Sequence, residues 1–184
     1  WANFSRIAAS NPDAWLKNPV SAETIRTASS KNRRISIPYT KLMNSNNAVD
    51  MGAALIMCST AKAKTLGIPE SKWVYPHAGV EGNDHFSASV RYNFHSSPAI
   101  RLVGQRLFEL TGMEPGNLDY IDLYSCFPAA VQIAAQELGI PETSPLSVTG
   151  GLTFGGGPLN NYVMHSIART VNLLRQEPDK TALV

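Results

Sequence analysis

Five glycines fall within nine residues at Gly150–Pro158, and this stretch constrains the fold more than any other feature of the sequence. Such a density of glycine requires left-handed backbone angles or a very close approach of the backbone to another group. The stretch leads into a predicted helix at 160–175, and free N–H groups at a helix N-terminus favour an anion or a developing oxyanion. The alternative is a tight structural turn between packed elements.

Two common phosphate-binding motifs do not match this stretch. Gly151 and Gly156 have the spacing of a P-loop, but Gly157 stands where the lysine is required. The dinucleotide fingerprint also fails, because Gly155 and Gly157 are followed by Asn160 where a third glycine is needed.

Composition excludes several classes of protein. Apolar residues make up 43% of the 184 residues and charged residues 16%, which is the opposite of the balance that disorder requires. The net charge is +2, and the basic residues are scattered apart from Lys31–Arg34, which argues against nucleic acid as a partner. No apolar run approaches the roughly 20 residues needed to span a bilayer. Two cysteines in unrelated contexts make neither a disulfide scaffold nor a zinc site, so we expect a cytoplasmic protein without a bound metal.

The pattern of elements predicts an α/β fold, in which helices cover one mixed sheet. Residues 1–50 are polar and punctuated by proline, and we expect them to pack as an arm without a core of their own. From residue 51 to residue 184 the pattern is regular. Strands are predicted at 53–58, 72–77, 119–124 and 181–184, and helices at 97–111, 127–138 and 160–175.

A second candidate site lies at Asp122–Pro128, at the carboxyl end of a predicted strand, where active sites of open α/β sheets collect. Cys126 at a helix N-terminus could serve as acid, base or nucleophile, but a lone cysteine is more often a small buried apolar residue. Tyr124 is likewise either a functional hydroxyl or a core residue whose hydroxyl is satisfied. The amides of Asn44–Asn47 could line a pocket or form a solvated turn.

Three motifs in this order resemble the thiolase superfamily. Asp50–Ala54 is similar to the D-G-A-A stretch at the start of the first C-terminal strand. Tyr124–Phe127 stands where thiolases carry N-E-A-F and sterol-carrier-type thiolases carry H-D-C-F. Gly150–Gly151, four further residues and Gly157–Pro158 resemble the G-G-x-x-x-x-H-P stretch. The resemblance covers essentially the whole chain, as the end of the N-terminal thiolase half in residues 1–50 and a truncated C-terminal thiolase-like domain in residues 51–184.

The resemblance implies a layered thiolase-type fold and a coenzyme A thioester as substrate, with no covalently bound cofactor. It also shows departures, because Gly157 replaces the catalytic histidine and Tyr124 replaces the asparagine. The nucleophilic cysteine of the family belongs upstream of Trp1. We expect Cys126 and Tyr124 to be catalytic. The residues expected to bind substrate are Asn47, Gly150, Gly151, Gly156, Gly157 and Pro158.

Three functions are compatible with these motifs. The leading prediction is an acyl-CoA acyltransferase of the acetyl-CoA acetyltransferase type, acting in lipid metabolism as part of a longer chain, and the other two are alternatives to it. The second is a carbon–carbon lyase of the retro-aldolase type that acts on a CoA thioester. The third is a non-catalytic thiolase-like subunit that binds acyl-CoA or a CoA-linked lipid. The expected partners are the N-terminal thiolase half, a second copy in a homodimer and a small partner subunit.

Overall fold

The computed structural model describes residues 1–184, and helices are its main elements. The helices are α1 (Ala2–Ser10), α2 (Ala22–Arg26), α3 (Thr60–Thr65), α4 (Pro98–Thr111), α5 (Pro128–Leu138), α6 (Gly151–Phe154) and α7 (Tyr162–Gln176). The strands are β1 (Arg34–Ser36), β2 (Tyr39–Thr40), β3 (Tyr120–Ile121) and β4 (Ala182–Leu183). Short 3-10 turns occur at Lys41–Met43, Glu70–Lys72, Ala88–Val90 and Pro115–Asn117.

The three long helices predicted from the sequence are confirmed as α4, α5 and α7. Helix α4 begins after Ser97, whose hydroxyl accepts the Ile100 N–H at 3.3 Å, and it ends at Gly112 with a left-handed φ of 65°. Helix α5 begins at Pro128 and ends at Gly139, whose φ is 68°. The α4 and α5 helices pack closely, since a side chain at Gly104 would overlap Leu138.

The α/β class is confirmed, but the strands form two small pairs. Strands β1 and β2 are antiparallel, whereas β3 and β4 are parallel, with Tyr120 opposite Ala182 and Ile121 opposite Leu183. The predictions for 119–124 and 181–184 are therefore correct in position, and the paired part is two residues in each strand.

The strands predicted at 53–58 and 72–77 are wrong. Residues 53–58 run as extended chain with Ile56 94% and Met57 78% exposed, and their backbone makes no hydrogen bond to a neighbouring strand. An apolar run becomes a strand only when its N–H and C=O groups are paired, and these are not. Residue 72 closes a 3-10 turn, and residues 73–77 make no backbone hydrogen bond to another strand.

The hydrophobic core joins residues from both parts of the chain. Its twelve buried members are Phe4, Ala8, Ala14, Ile25, Ile121, Leu123, Val131, Ala134, Ala135, Ile140, Leu146 and Phe154. Residues 1–50 contribute the first four of these, so this segment packs into the common core. The boundary at residue 50 between an arm and a domain stays a prediction. No helix combines the length and the apolar character that crossing a lipid bilayer requires.

Candidate functional site

A buried carboxylate, Asp122, organises the centre of the site. It lies immediately after β3 and is 2% exposed. Its Oδ2 accepts hydrogen bonds from the Ser147 hydroxyl at 3.0 Å, the Val148 N–H at 2.9 Å, and the Thr149 N–H and hydroxyl, both at 3.1 Å. Its Oδ1 accepts the Tyr162 hydroxyl at 2.6 Å. Burying a charge requires such compensation, and five donors supply it here. This role was not predictable from the sequence, because the partners lie 25 to 40 residues away along the chain.

Two tyrosines meet beside this carboxylate and differ in environment. Tyr162, at the start of α7, is 4% exposed, and its hydroxyl also lies 2.7 Å from the Thr149 hydroxyl. Burial, followed by the charge of Asp122, raises the pKa of Tyr162 well above its ordinary value, so this phenol keeps its proton. Tyr124 packs edge-on against the Tyr162 ring, with centroids 5.7 Å apart and planes at 87°. Tyr124 is 54% exposed, and its hydroxyl makes no hydrogen bond within the protein.

Exposure alternates along the segment that follows Asp122. Tyr124 is exposed, Ser125 is fully buried and Cys126 is half-buried, as expected for an extended segment whose alternate residues share a side. The Ser125 hydroxyl accepts the Leu152 N–H at 3.1 Å, which ties the segment to α6. Burial raises the pKa of the Cys126 thiol, and hydrogen bonds from the backbone of Phe127 and of Cys126 itself offset part of the rise. The thiol is therefore protonated at neutral pH and suits a proton donor better than a nucleophile.

The Asn44–Asn47 segment lies between this strand end and the glycine stretch. The Ser45 N–H donates to the Cys126 carbonyl at 2.8 Å. The Asn46 N–H donates to the Leu152 carbonyl at 2.9 Å, and the Asn46 carbonyl accepts the Gly157 N–H at 2.8 Å. Asn47 itself is exposed and makes no hydrogen bond. The backbone of this segment, rather than its amide side chains, connects the two predicted motifs.

The glycines of Gly150–Pro158 are required by close contacts within the protein. Gly150 has a φ of 95°, and a Cβ there would overlap Ala8. Gly151 has a φ of 73°, and a Cβ there would lie 2.7 Å from the Phe4 ring and 2.7 Å from the Ser125 hydroxyl. The structural alternative therefore accounts for these two glycines. The stretch also contains a helical turn, α6, which the sequence did not predict.

Most backbone N–H groups of the glycine stretch donate hydrogen bonds within the protein. The Gly150 N–H donates to the Ser147 hydroxyl and the Gly151 N–H to the Thr149 hydroxyl, each at 3.0 Å. The amides of Gly155 and Gly157 donate to backbone carbonyls. Gly156, with a φ of 114°, is the one glycine of the stretch whose N–H has no acceptor within the protein. It is therefore the glycine donor that remains available to a ligand oxygen. Pro158 is buried at the end of the stretch.

A cavity of about 360 Å³ adjoins the glycine stretch. Six of the residues that line it are Thr149, Gly155, Gly156, Tyr162, His165 and Arg169. Burial lowers the pKa of His165, and the nearby Asp13 carboxylate offsets part of that shift. Tyr124 and Cys126 do not line this cavity. The predicted site residues therefore lie on adjoining segments, and Tyr162 stands between Tyr124 and the cavity.

Curated proteins are similar to this chain in sequence, and a solved structure is similar to it in fold. The monomeric SCP2-thiolase like protein type 1 from Mycobacterium smegmatis is 37% identical with a TM-score of 0.90, over 98% of this chain and 40% of that one. The steroid side-chain-cleaving aldolase of Thermomonospora curvata is 28% identical over 184 residues, which is 91% of this chain and 46% of the relative. The acetyl-CoA acetyltransferase of Methanocaldococcus jannaschii is 26% identical over 99 residues, which is 54% of this chain and 25% of the relative.

The chain spans less than half the length of each of these relatives. No protein-family model matches it. The TM-score and the identity to the mycobacterial protein nevertheless agree with the three motifs read from the sequence. The chain is therefore similar in both sequence and fold to part of a thiolase-superfamily protein.

Proposed function

We propose that the chain is part of a carbon–carbon lyase that cleaves a β-hydroxyacyl-CoA thioester, the second of the three functions compatible with the motifs. The observation that carries this proposal is the pair of side chains at the strand end. Tyr124 offers a free, half-exposed hydroxyl, and Cys126 offers a thiol that burial keeps protonated. The likeness to a steroid side-chain-cleaving aldolase over 91% of the chain supports the same reaction class.

Acyl transfer receives less support from the geometry. A Cβ at Gly157 would lie 3.1 Å from the Leu152 carbonyl oxygen and 3.3 Å from the Asn46 carbonyl oxygen, so the backbone crowds the position where the family has its histidine. A retro-aldol reaction needs no acyl-enzyme intermediate. It needs groups that move one proton away from a hydroxyl and deliver one proton to a carbon.

The proposed reaction balances without a co-reactant. In one concerted step the Cα–Cβ bond breaks and its electron pair takes the Cys126 thiol proton at Cα. In the same step the β-hydroxyl gives its proton to the Tyr124 hydroxyl, which passes its own proton to the Cys126 sulfur. The products are a carbonyl compound and a shortened acyl-CoA.

The remaining predicted binding residues have different proposed roles. Gly150, Gly151 and Gly157 shape the stretch, because their amides bond within the protein. Pro158 ends the stretch. Asn47 is exposed and follows Asn46, whose carbonyl accepts the Gly157 N–H.

The test of the lyase is steady-state kinetics of the natural full-length protein on a β-hydroxyacyl-CoA, with chromatography of the shortened acyl-CoA. Tyr124→Phe removes one hydroxyl and little volume, so we expect turnover to fall by about 10²–10⁴-fold. Tyr92→Phe is the matched control, because Tyr92 is fully exposed. A Tyr124→Phe enzyme as fast as wild type would contradict the proposal.

Acyl transfer is the second candidate, favoured by the similarity to the Methanocaldococcus jannaschii protein named acetyl-CoA acetyltransferase. Its test is intact-protein mass spectrometry after incubation with acetyl-CoA. An acetyl adduct on the natural full-length protein supports acyl transfer. Binding of acyl-CoA with neither an adduct nor a shortened product supports the non-catalytic function.

The homodimer, the small partner subunit and the cytoplasmic location stay predictions from the resemblance and the composition. The mycobacterial protein of similar fold is described as monomeric. Light scattering of the natural full-length protein distinguishes the two oligomeric states.

A further inference from the structure

We infer that Asp122 is a positioning residue, which fixes the orientation of Tyr124 through the ring of Tyr162. The inference rests on the proposed function only for the role of Tyr124 in turnover. The geometry that joins the three side chains stands independently of it.

One carboxylate connects three separate parts of the chain. Asp122 lies at the end of β3, its Oδ2 holds Ser147–Thr149 immediately before the glycine stretch, and its Oδ1 holds Tyr162 in the first turn of α7. Because both oxygens are engaged, a shift of any one part disturbs the hydrogen bonds of the other two.

The Tyr162 ring transmits this restraint to Tyr124. Its hydroxyl donates to Asp122 at 2.6 Å, which fixes the position of the hydroxyl end of the ring, and the ring is 4% exposed, so the surrounding packing restrains its plane. Tyr124 packs edge-on against that ring and is otherwise half exposed, with no hydrogen bond at its own hydroxyl. The direction in which the Tyr124 hydroxyl points therefore depends on a neighbour that is itself held by Asp122.

The chemistry of Tyr162 excludes a direct role in proton transfer. Its phenol is buried, and its hydroxyl donates its proton to Asp122. A raised pKa keeps that phenol protonated. Asp122 and Tyr162 therefore act through Tyr124.

Tyr162→Phe isolates this effect, because it keeps the ring that packs against Tyr124 and removes only the hydroxyl. The natural full-length protein is labelled with 3-fluorotyrosine, and the Tyr124 resonance is assigned by its loss in Tyr124→Phe. We expect Tyr162→Phe to shift or broaden the Tyr124 signal. We expect kcat to fall by about ten- to a hundredfold with KM nearly unchanged, since small misplacements of reacting groups carry such costs.

Two controls separate positioning from folding. Tyr75→Phe removes the hydroxyl of an exposed tyrosine away from this cluster, and it should leave the Tyr124 signal unchanged. Asp122→Asn should reproduce the effect of Tyr162→Phe. If Asp122→Asn does not fold, Tyr162→Phe still decides the question, provided that its thermal unfolding is cooperative.

The outcomes for the two proposals are distinct. An unchanged Tyr124 resonance in Tyr162→Phe overturns the positioning role, whatever the activity. A wild-type protein without lyase activity overturns the proposed function, and the fluorine spectrum alone then decides whether Asp122 positions Tyr124. A changed spectrum with kcat and KM both unchanged overturns the claim that this orientation matters for turnover.

Discussion

Arg101 Nε donates a hydrogen bond to Glu137 Oε2 at 2.7 Å and joins α4 to α5. Glu137 also accepts the Ser97 N–H at 2.8 Å, so the same carboxylate satisfies a donor at the start of α4. The Glu137 side chain is 5% exposed, whereas that of Arg101 is 49% exposed. The carboxylate is thus the buried member of the pair, and its removal leaves the Ser97 amide without an acceptor.

Glu137→Gln should lower the urea midpoint of unfolding at pH 7. The hydrogen bond from Arg101, the Ser97 N–H and the charge of Arg101 together hold the pKa of Glu137 below its ordinary value. A lowered folded-state pKa stabilises the protein above the unfolded pKa, and that contribution is lost as the pH falls through the folded value. The difference between wild type and variant should therefore shrink below about pH 4. Glu109→Gln, in an exposed pair with Arg106, is the control and should change little.

Gly151→Ala should destabilise the protein more than Gly112→Ala. Both glycines have left-handed φ angles, of 73° and 65°, so both substitutions carry the backbone strain of about 1–2 kcal/mol. A Cβ at Gly112 meets open space, whereas one at Gly151 meets Phe4 and Ser125 at 2.7 Å. We expect Gly151→Ala to cost about 1–3 kcal/mol more, measured by urea unfolding. Equal losses for the two variants would show that the contact with Phe4 is easily relieved.

Cys58 should react with iodoacetamide well before Cys126. Cys58 is exposed, whereas Cys126 is half-buried and burial raises the pKa of its thiol. Since the thiolate is the reactive form, alkylation of Cys126 should become fast only at a pH above that at which an ordinary cysteine reacts. Peptide mass spectrometry over a pH series measures both rates in one sample. Faster labelling of Cys126 at neutral pH would mean that the thiol is activated and would favour nucleophilic chemistry.

Gly157→His should not create thiolase activity. The new side chain would begin 3.1–3.3 Å from the carbonyl oxygens of Leu152 and Asn46, so the neighbouring backbone must shift to admit it. We expect no acetyl adduct after incubation with acetyl-CoA and a lower thermal midpoint. Gly157→Ala measures how much stability is lost when a Cβ is added at this crowded position without an imidazole. An active and fully stable Gly157→His protein would show that the stretch adapts to the family's histidine.

The long helices were predictable because residues next to their ends mark where each helix begins and ends. Ser97 and Gly112 bracket α4, and Pro128 and Gly139 bracket α5, with each signal within one turn of the end it marks. That residues 53–58 and 72–77 do not form strands was not predictable in this way. Hydrogen-bond partners elsewhere in the chain decide whether an extended apolar segment becomes a strand, and composition does not record them.

In the candidate site, too, features with a local sequence signal were predictable and features that depend on distant partners were not. The motifs around Tyr124, Cys126 and the glycine stretch were visible as short runs of residues, and the family they indicated is confirmed by the similarity to the mycobacterial protein. The roles of Asp122 and Tyr162 were not visible, because their contacts are 40 residues apart. A lone aspartate directly after an apolar strand was the available signal. Such a residue must find several donors if it is buried.

The contact of α1 with the glycine stretch has a consequence for the order of folding. The Asn11 side chain donates to the Thr149 carbonyl at 3.0 Å across 138 residues of sequence. Ala8 packs against Gly150, and Phe4 packs against Gly151. Contacts of such separation close a large loop and form slowly compared with the helices α4 and α5, which pack beside each other. The glycine stretch therefore acquires its shape only after the first helix has docked. A protein caught before that step would carry well-formed helices and no competent site.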